Sequence, residues 1–446
     1  MTQQNSESAL EATQGRDAAG GEDHGLWWAE ASIWTDRMKS ALGNGVKGGN
    51  WFSLIDKVFR PSTLEAAWRK VEANKGSSGI DGQSLDRFAA DAALYLTELH
   101  ESLKSGSYTP SPVKRVDIPK GNGQTRPLGI PTVKDRIVQT ALKMAIEPIF
   151  ETQFREGSYG FRPERGCKDA LREVDRLLQA GYTHVVDADL KSYFDTIPHD
   201  GLMARVAEKI SDGRVLALIE SFLRQDVMKD TEQWTPTAGT PQGAVISPLL
   251  ANIYLHPLDL LMEESGYRMV RYADDFVILC WTAEDAEAAL RQITAWTAAN
   301  GLTLHPDKTR IGDAQEAGQG FDFLGYRFEG GRRYVREKSL KALRDKVRAK
   351  TKRNRGVSLD RIIADLNPML RGWFGYFKHA VPSVHRDVDG FVRRRLRAIL
   401  RRREKRSGFG RCLNDHKRWP NAFFASFGLF TLTTARLQAR LPRCGN

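Results

Sequence analysis

The sequence predicts an α+β protein: antiparallel strands that carry acids, followed by a basic, helical C-terminal part. Three observations support this. Tyr272-Ala273-Asp274-Asp275 lies between Met269-Val270-Arg271 and Phe276-Val277-Ile278-Leu279-Cys280, two runs rich in strand-forming residues, which is the pattern of a tight hairpin with acids at its tip. His184-Val185-Val186-Asp187-Ala188-Asp189 is a second short apolar strand that ends in an acid. From residue 338 onward the apolar spacing is helical and cations dominate.

Length and charge set the frame. At 446 residues the chain exceeds what one core supports, so two or three domains are expected. A hydrophobic content of 41% suffices for a globular protein, and no apolar run approaches about twenty residues, which argues against a membrane span. No basic-then-apolar signal opens the chain. Cys167, Cys280, Cys412 and Cys444 form no C-x-x-C pair, which favours a reducing cytoplasm over a zinc module or disulfide framework. The net charge of +12 is unevenly spread, with 31 Lys/Arg against 8 Asp/Glu in residues 331–446. A solvated surface mixes signs; here one sign dominates, so the expected partner is a polyanion, most naturally nucleic acid.

In chain order, residues 1–25 are polar and expected to be disordered. Ser62 and Glu65 read as a capping box for a helix over 62–74. A glycine-rich loop over 75–82 and an amphipathic helix over 84–104 follow. Residues 113–130 read as strand, turn, strand around Asn122-Gly123. That hairpin brings Lys120 and Arg126 together, either to clamp a triphosphate or as plain surface charges. Residues 132–151 form a helix, and Tyr159-Gly160-Phe161-Arg162-Pro163 is a loop opening the helix from about 166 to 179. Thr240-Pro241-Gln242-Gly243 precedes a helix over 247–263, with Gln242 polar where a turn did not require it. After the acid hairpin come a helix over 283–300, then Asp307-Lys308-Thr309, then a Phe321-Asp322-Phe323-Leu324-Gly325-Tyr326 hairpin closed by Gly330-Gly331.

Adjacent carboxylates repel and lose hydration unless a cation compensates them, and hard oxygen ligands suit Mg²⁺. A solvated Asp-Asp turn is the alternative. Asp189, at a strand end, can meet the hairpin acids across an antiparallel pair, but Asp187 and Asp195 compete and alternation alone does not choose. Three acids, a phosphate clamp and a basic accessory region suit nucleotidyl transfer. One metal would activate a 3′-hydroxyl while a second steadies pyrophosphate. The nine His are dispersed, and no Ser-His or Cys-His arrangement stands out. Downstream, Arg371-Gly372-Trp373-Phe374-Gly375-Tyr376-Phe377-Lys378 interleaves aromatics with cations, which serves base stacking or core packing. Arg393-Arg394-Arg395-Leu396-Arg397 to Arg401-Arg402-Arg403 sets cations on several faces of one helix, the pattern of a salt-sensitive RNA or DNA contact.

Taken in order, Asp189 with Phe194, Thr240-Pro241-Gln242-Gly243, Tyr272-Ala273-Asp274-Asp275, Lys308-Thr309 and Phe323-Leu324-Gly325-Tyr326 match the palm motifs of reverse transcriptases. With Arg126-Pro127-Leu128-Gly129-Ile130-Pro131, Tyr159-Gly160-Phe161-Arg162-Pro163, Arg371-Gly372-Trp373 and Tyr376-Phe377, the chain resembles the bacterial group II intron reverse transcriptase/maturase over about residues 50–440. The resemblance implies a right-hand polymerase. A partly disordered leader would take residues 1–50, fingers 51–183, a palm with an antiparallel sheet 184–330, and an α-helical thumb and maturase domain 331–446. It implies that Asp189, Asp274 and Asp275, with Leu190, hold two Mg²⁺ ions, which Mn²⁺ can replace. Phe194 would reject the 2′-hydroxyl, Lys120 and Arg126 would hold the triphosphate, and Gln242 would lie near the nascent pair. Lys308 would protonate pyrophosphate or be structural. Arg371, Trp373, Tyr376, Lys378, Arg393, Arg394, Arg397 and Arg401 would contact nucleic acid.

The expected function is an RNA-directed DNA polymerase that binds its intron RNA and assists splicing and mobility. Its expected partners are that intron RNA, an RNA template with a DNA primer, dNTPs and target DNA, without a membrane; the oligomeric state stays open. His416, Cys412 and Cys444 do not make the Cys/His nuclease pattern of many relatives, which implies a member lacking that domain. Two alternatives remain. A reverse transcriptase of another bacterial lineage, such as a retron, diversity-generating or defence-associated enzyme, generally lacks the Arg371-Gly372-Trp373 region. A splicing-only maturase would leave the three acids costly and unused.

Overall fold

The computed structural model describes residues 26–46, 49–121, 124–354 and 356–439. Its strands in chain order begin with β1 (Val113–Gly121), β2 (Gln124–Ile130), β3 (His184–Asp189), β4 (Val227–Lys229) and β5 (Glu232–Trp234). They continue with β6 (Arg268–Tyr272), β7 (Asp275–Cys280), β8 (Arg310–Asp313), β9 (Phe321–Phe323), β10 (Tyr326–Glu329) and β11 (Arg332–Val335). The chain divides into two compact units. The first takes the described residues up to Gln153 with Met203–Thr237 and Pro241–Ser247; the second takes Phe154–Leu202, Ala238–Thr240 and the described residues from Pro248 onward.

In the first unit the sheet runs β2-β1-β4-β5. β1 and β2 pair antiparallel, with Ile118 opposite Arg126, while β1 and β4 pair parallel. The expected Asn122-Gly123 turn, the disorder of residues 1–25 and the Lys120 side chain lie outside the described residues. The helix Val133–Glu151 is capped by Thr132, whose hydroxyl accepts from the Asp135 N–H at 3.1 Å. It is apolar around most of its circumference and is correspondingly buried as a core element. Within the stretch expected as a leader, Ile33 and Trp34 are buried and Asp36–Asn44 is helical. The Trp34 indole N–H donates to the Met144 carbonyl at 3.0 Å. Two local expectations change. The helix Pro61–Asn74 starts on Pro61 rather than being capped by Ser62, because the ring presets the helical φ and has no N–H to leave unpaired. The expected helix over 84–104 is two, Leu85–Ala90 and Ala92–Ser105, parted at Asp91.

In the second unit the sheet runs β6-β7-β3-β8, every neighbouring pair antiparallel. A meander of β9, β10 and β11 turns at Leu324-Gly325 and Gly330-Gly331, all four in the left-handed region that two-residue hairpin turns require. Val185, Val270, Val277 and Leu279 from the sheet bury against Leu171, Val174 and Leu177 of the helix Cys167–Gln179 and against Phe321, Tyr326 and Phe328 of the meander. A separate core joins the helices Glu337–Lys350, Leu359–Phe377 and Pro382–Arg403 to three short helices, Leu413–Arg418, Asn421–Ser426 and Leu432–Gln438. Among the described residues no helix is long and apolar enough to cross a membrane.

Candidate active site

Strand pairing brings the distant acids together. β3 and β7 run antiparallel with Asp189 opposite Asp275, and β6 and β7 pair Tyr272 with Asp275. The loop between β6 and β7 is therefore only Ala273 and Asp274, with Ala273 at φ +61. Directly opposed residues hold their Cβ atoms about 5 Å apart, so Asp189 and Asp275 face each other with Asp274 beside them. Asp187, two residues before Asp189, lies on the same strand face and pairs with Arg310 at 3.5 Å. The end of β3 is fastened by the His305 N–H donating to the Asp189 carbonyl at 2.7 Å. Leu190, buried, bridges to Leu304.

A buried guanidinium holds the loop in place. Arg271 is fully buried and donates from Nε to Asp259 Oδ1 at 2.7 Å, from Nη1 to Asn252 Oδ1 at 3.0 Å and from Nη2 to Ser158 Oγ at 2.7 Å. Nη1 also donates to the Ala273 carbonyl at 3.0 Å. The backbone joins in: Arg271 N–H donates to Gly157 O at 2.8 Å and Tyr159 N–H to Arg271 O at 2.9 Å. The Asn252 amide completes the tie by donating to Gly160 O at 2.7 Å. Sequence reasoning missed Arg271, Asp259 and Asn252. The available signal was a cation within an otherwise apolar strand, which requires a buried partner.

The electrostatics show an excess of negative charge. The Asp275 carboxyl is pushed up to about 7, first by burial and then by Asp187, Asp189 and Asp274, while Arg336 pulls it down. Burial pushes Asp187 up to about 6. The Lys308 ammonium sits on the Asp189 carboxylate. Among the described residues no three Asp, Glu, His or Cys side chains are gathered so that they could hold a metal ion as the chain stands. The donor set is nonetheless all oxygen, and ionising Asp275 beside three other carboxylates calls for added positive charge. That fits a hard divalent cation once Lys308 gives way.

Phe194 lies on the short helix Tyr193–Thr196 just past β3. Its ring meets Phe161 edge-on at 6.3 Å, and Phe161 also meets Tyr272 at 6.3 Å, so an aromatic group flanks the acid loop. Phe161 is 43% exposed at φ +60, an aromatic held out toward solvent.

In the first unit Arg126 Nε donates to Gln242 Oε1 at 2.8 Å, and the Gly129 N–H donates to the Gln242 carbonyl at 2.7 Å. Gly243 has φ +110, and a Cβ there would lie 2.4 Å from the Gly129 carbonyl oxygen, so only glycine fits.

Of the residues expected to contact nucleic acid, Arg371 and Lys378 are exposed. Trp373 packs on Phe377 at 4.8 Å, and the Tyr376 hydroxyl donates to the Leu324 carbonyl at 2.8 Å, so both aromatics join the core. Arg393 and Arg394 are half-buried, with Arg394 over the Phe391 ring. Arg397 is 2% exposed and donates to Trp419 O at 3.0 Å and Asn421 Oδ1 at 3.2 Å. Arg401 donates to Asp415 at 2.6 Å.

The chain is similar in sequence to known proteins. The chain matches the family model described as reverse transcriptase (RNA-dependent DNA polymerase) over residues 118–328. It matches the group II intron, maturase-specific domain over residues 340–419. Protein YkfC of Escherichia coli (strain K12) is 36% identical over 315 residues, 61% of this chain and 82% of that protein. Group II intron-encoded protein LtrA of Lactococcus lactis subsp. cremoris is 39% identical over 216 residues, 46% of this chain and 35% of LtrA. The uncharacterized 91 kDa protein in the cob intron of Schizosaccharomyces pombe is 38% identical over 306 residues, 55% of this chain and 37% of that protein. The chain thus spans most of the first relative and about a third of the other two.

Proposed function

The chain belongs to the group II intron reverse transcriptase and maturase family and is an RNA-directed DNA polymerase, and on that premise we propose how its residues divide the work. A reverse transcriptase domain uses divalent metal; here Asp189, Asp274 and Asp275, with the Leu190 backbone, would hold two Mg²⁺ ions. When bound, the ions supply activation of the primer 3′-hydroxyl and charge for the leaving pyrophosphate. Every other role falls to side chains. Arg271 holds the Ala273-Asp274 loop so that Asp274 stays beside the Asp189–Asp275 pair. Phe194 stands where the incoming sugar carries its 2′ position and excludes a hydroxyl there. Lys120 and Arg126 hold the triphosphate, with Gln242 orienting the Arg126 fork through the bond at 2.8 Å. Lys308 carries the proton for the leaving pyrophosphate.

The division into fingers over 51–183, palm over 184–330 and thumb with maturase domain over 331–446 is part of the same reading. So is the binding of intron RNA, template with primer, and target DNA in the service of splicing and mobility. The observation that carries the proposal is the register of β3 on β7, which sets Asp189 opposite Asp275 with Asp274 in the adjoining loop. Its test is extension of a DNA primer on an RNA template by purified protein with dNTPs. Extension that requires Mg²⁺, stops in chelator and returns with Mg²⁺ or Mn²⁺ is expected; extension indifferent to chelator overturns the metal assignment.

A further inference from the structure

Away from the acid loop, the second unit holds a cavity of about 660 Å³ between the Gly330-Gly331 turn and the start of the helix Pro382–Arg403. The volume falls within the roughly 300–1,000 Å³ range of small-molecule sites. Ala314, which lines it, donates its N–H to the carbonyl of Thr183, just before β3, and Gly331 donates to Ala314. The cavity is therefore at the end of β3 opposite Asp189, about 17 Å along the strand. It is a separate place from the polymerase centre.

The lining is cationic in a specific way. Its two carboxylates are already matched, Asp175 with Arg333 at 3.0 Å and Glu329 with Arg327 at 2.8 Å. Arg436 is engaged by the Lys378 and Ala380 carbonyls. Arg332 and Arg386 are exposed at the rim, and among the described residues neither guanidinium has a hydrogen-bond or ion-pair partner. Val381 and Pro382 begin the helix without a side-chain cap, so its first N–H groups add to the same field. Leu178, Val381 and Pro382 supply apolar surface beside these charges.

We propose that this cavity receives one phosphate-bearing nucleotide of single-stranded RNA, its phosphate forked by Arg332 and Arg386 and its base against the apolar wall. The inference goes beyond the polymerase reading and does not depend on it. A cavity of this size accepts a splayed-out nucleotide rather than a paired stem. Its open, exposed rim lets a strand enter and leave, which a free nucleotide would not require. The surrounding region, with 31 Lys/Arg against 8 Asp/Glu, draws in such a strand.

The test uses the full chain and a fluorescein-labelled 12-nucleotide oligouridylate, read by anisotropy, with a 4-thiouridine version photo-crosslinked and mapped by mass spectrometry. Crosslinks in residues 329–333 or 379–386 are expected. Arg332→Glu/Arg386→Glu should weaken the oligonucleotide by about tenfold or more. A control of equal charge change at exposed positions outside the arginine run, Lys405→Glu/Lys417→Glu, should weaken it far less, and both variants should extend a pre-annealed template–primer within about twofold of the parent. Equal loss in the two variants, or crosslinks only elsewhere, overturns the proposal. Protection of these peptides by AMP without crosslinking to the oligonucleotide overturns the assignment to RNA.

Discussion

The guanidinium of Arg271 donates to the carbonyl of Ala273 at 3.0 Å, one residue before Asp274, while its other nitrogens reach Asp259, Asn252 and Ser158. A single buried cation thus neutralises Asp259 and pins a loop whose Ala273 adopts a left-handed backbone. Breaking a buried pair of this kind costs about 3–5 kcal/mol, because the remaining charge loses its partner. Arg271→Ala is expected to lower stability by that order in urea unfolding and to slow primer extension in the fraction still folded. Arg271→Lys keeps the charge without the planar fork, and should fall between parent and Ala. Parent-like stability in Arg271→Ala would remove the network from the account.

Two glycines give opposite expectations. A Cβ on Gly160 would lie 2.3 Å from the Ala273 nitrogen and 2.9 Å from the Tyr272 carbonyl carbon, both backbone atoms of the acid hairpin. Gly160→Ala must therefore displace that hairpin, and single-turnover extension should slow more than template–primer affinity falls. Gly372, in the helix Leu359–Phe377, has open space where a Cβ would go. Gly372→Ala should raise stability by about 1 kcal/mol, the ordinary gain from filling a helical glycine. A destabilised Gly372→Ala protein would show that this face is covered.

The pH dependence of the metal-free protein follows from Asp275 and Asp187, pushed up to about 7 and about 6. A carboxyl whose pKa is higher folded than unfolded binds its proton more tightly in the folded state. The stability it contributes is complete below about pH 4 and is lost as pH rises through its folded value. In chelator, the parent should therefore lose stability between about pH 4 and 7. Asp275→Asn should lose less over the same interval, measured by denaturant midpoints. Identical pH profiles would contradict the crowding of charge around Asp275.

Phe194 is the side chain assigned to sugar selection. Phe194→Ala should incorporate ribonucleotides more readily relative to deoxyribonucleotides, by about tenfold or more, since it opens space for one hydroxyl. Competitive incorporation on a defined RNA template measures the ratio, and an unchanged ratio removes the assignment.

Much of this site is legible in the chain, and its limits have physical causes. Runs of Val, Ile and Phe around paired acids announce β3, β6 and β7 because strand preference and alternation are local. The choice among Asp187, Asp189 and Asp195 is not local. Asp187 and Asp189 share a strand face, and only the register on β7 sets Asp189 opposite Asp275. Arg271 has partners 12, 19 and 113 residues away, so its role has no sequence-adjacent sign. The cations from Arg393 to Arg403 read as one RNA-facing surface, yet tertiary packing turns Arg397 inward to Trp419 and Asn421 and Arg401 to Asp415. Helical spacing alone does not tell a solvated arginine from one that docks a later helix.

The central claim is that Asp189, Asp274 and Asp275 together make the nucleotidyl-transfer centre. The most direct test is single-turnover extension of a DNA primer on an RNA template in Mg²⁺, comparing the parent with Asp274→Asn, a near-isosteric change that removes the charge without touching the Arg271 bond to the Ala273 carbonyl. A rate reduced by about 10³-fold, with unfolding and template–primer affinity unchanged, is the predicted result. A rate within a few-fold of the parent would contradict it.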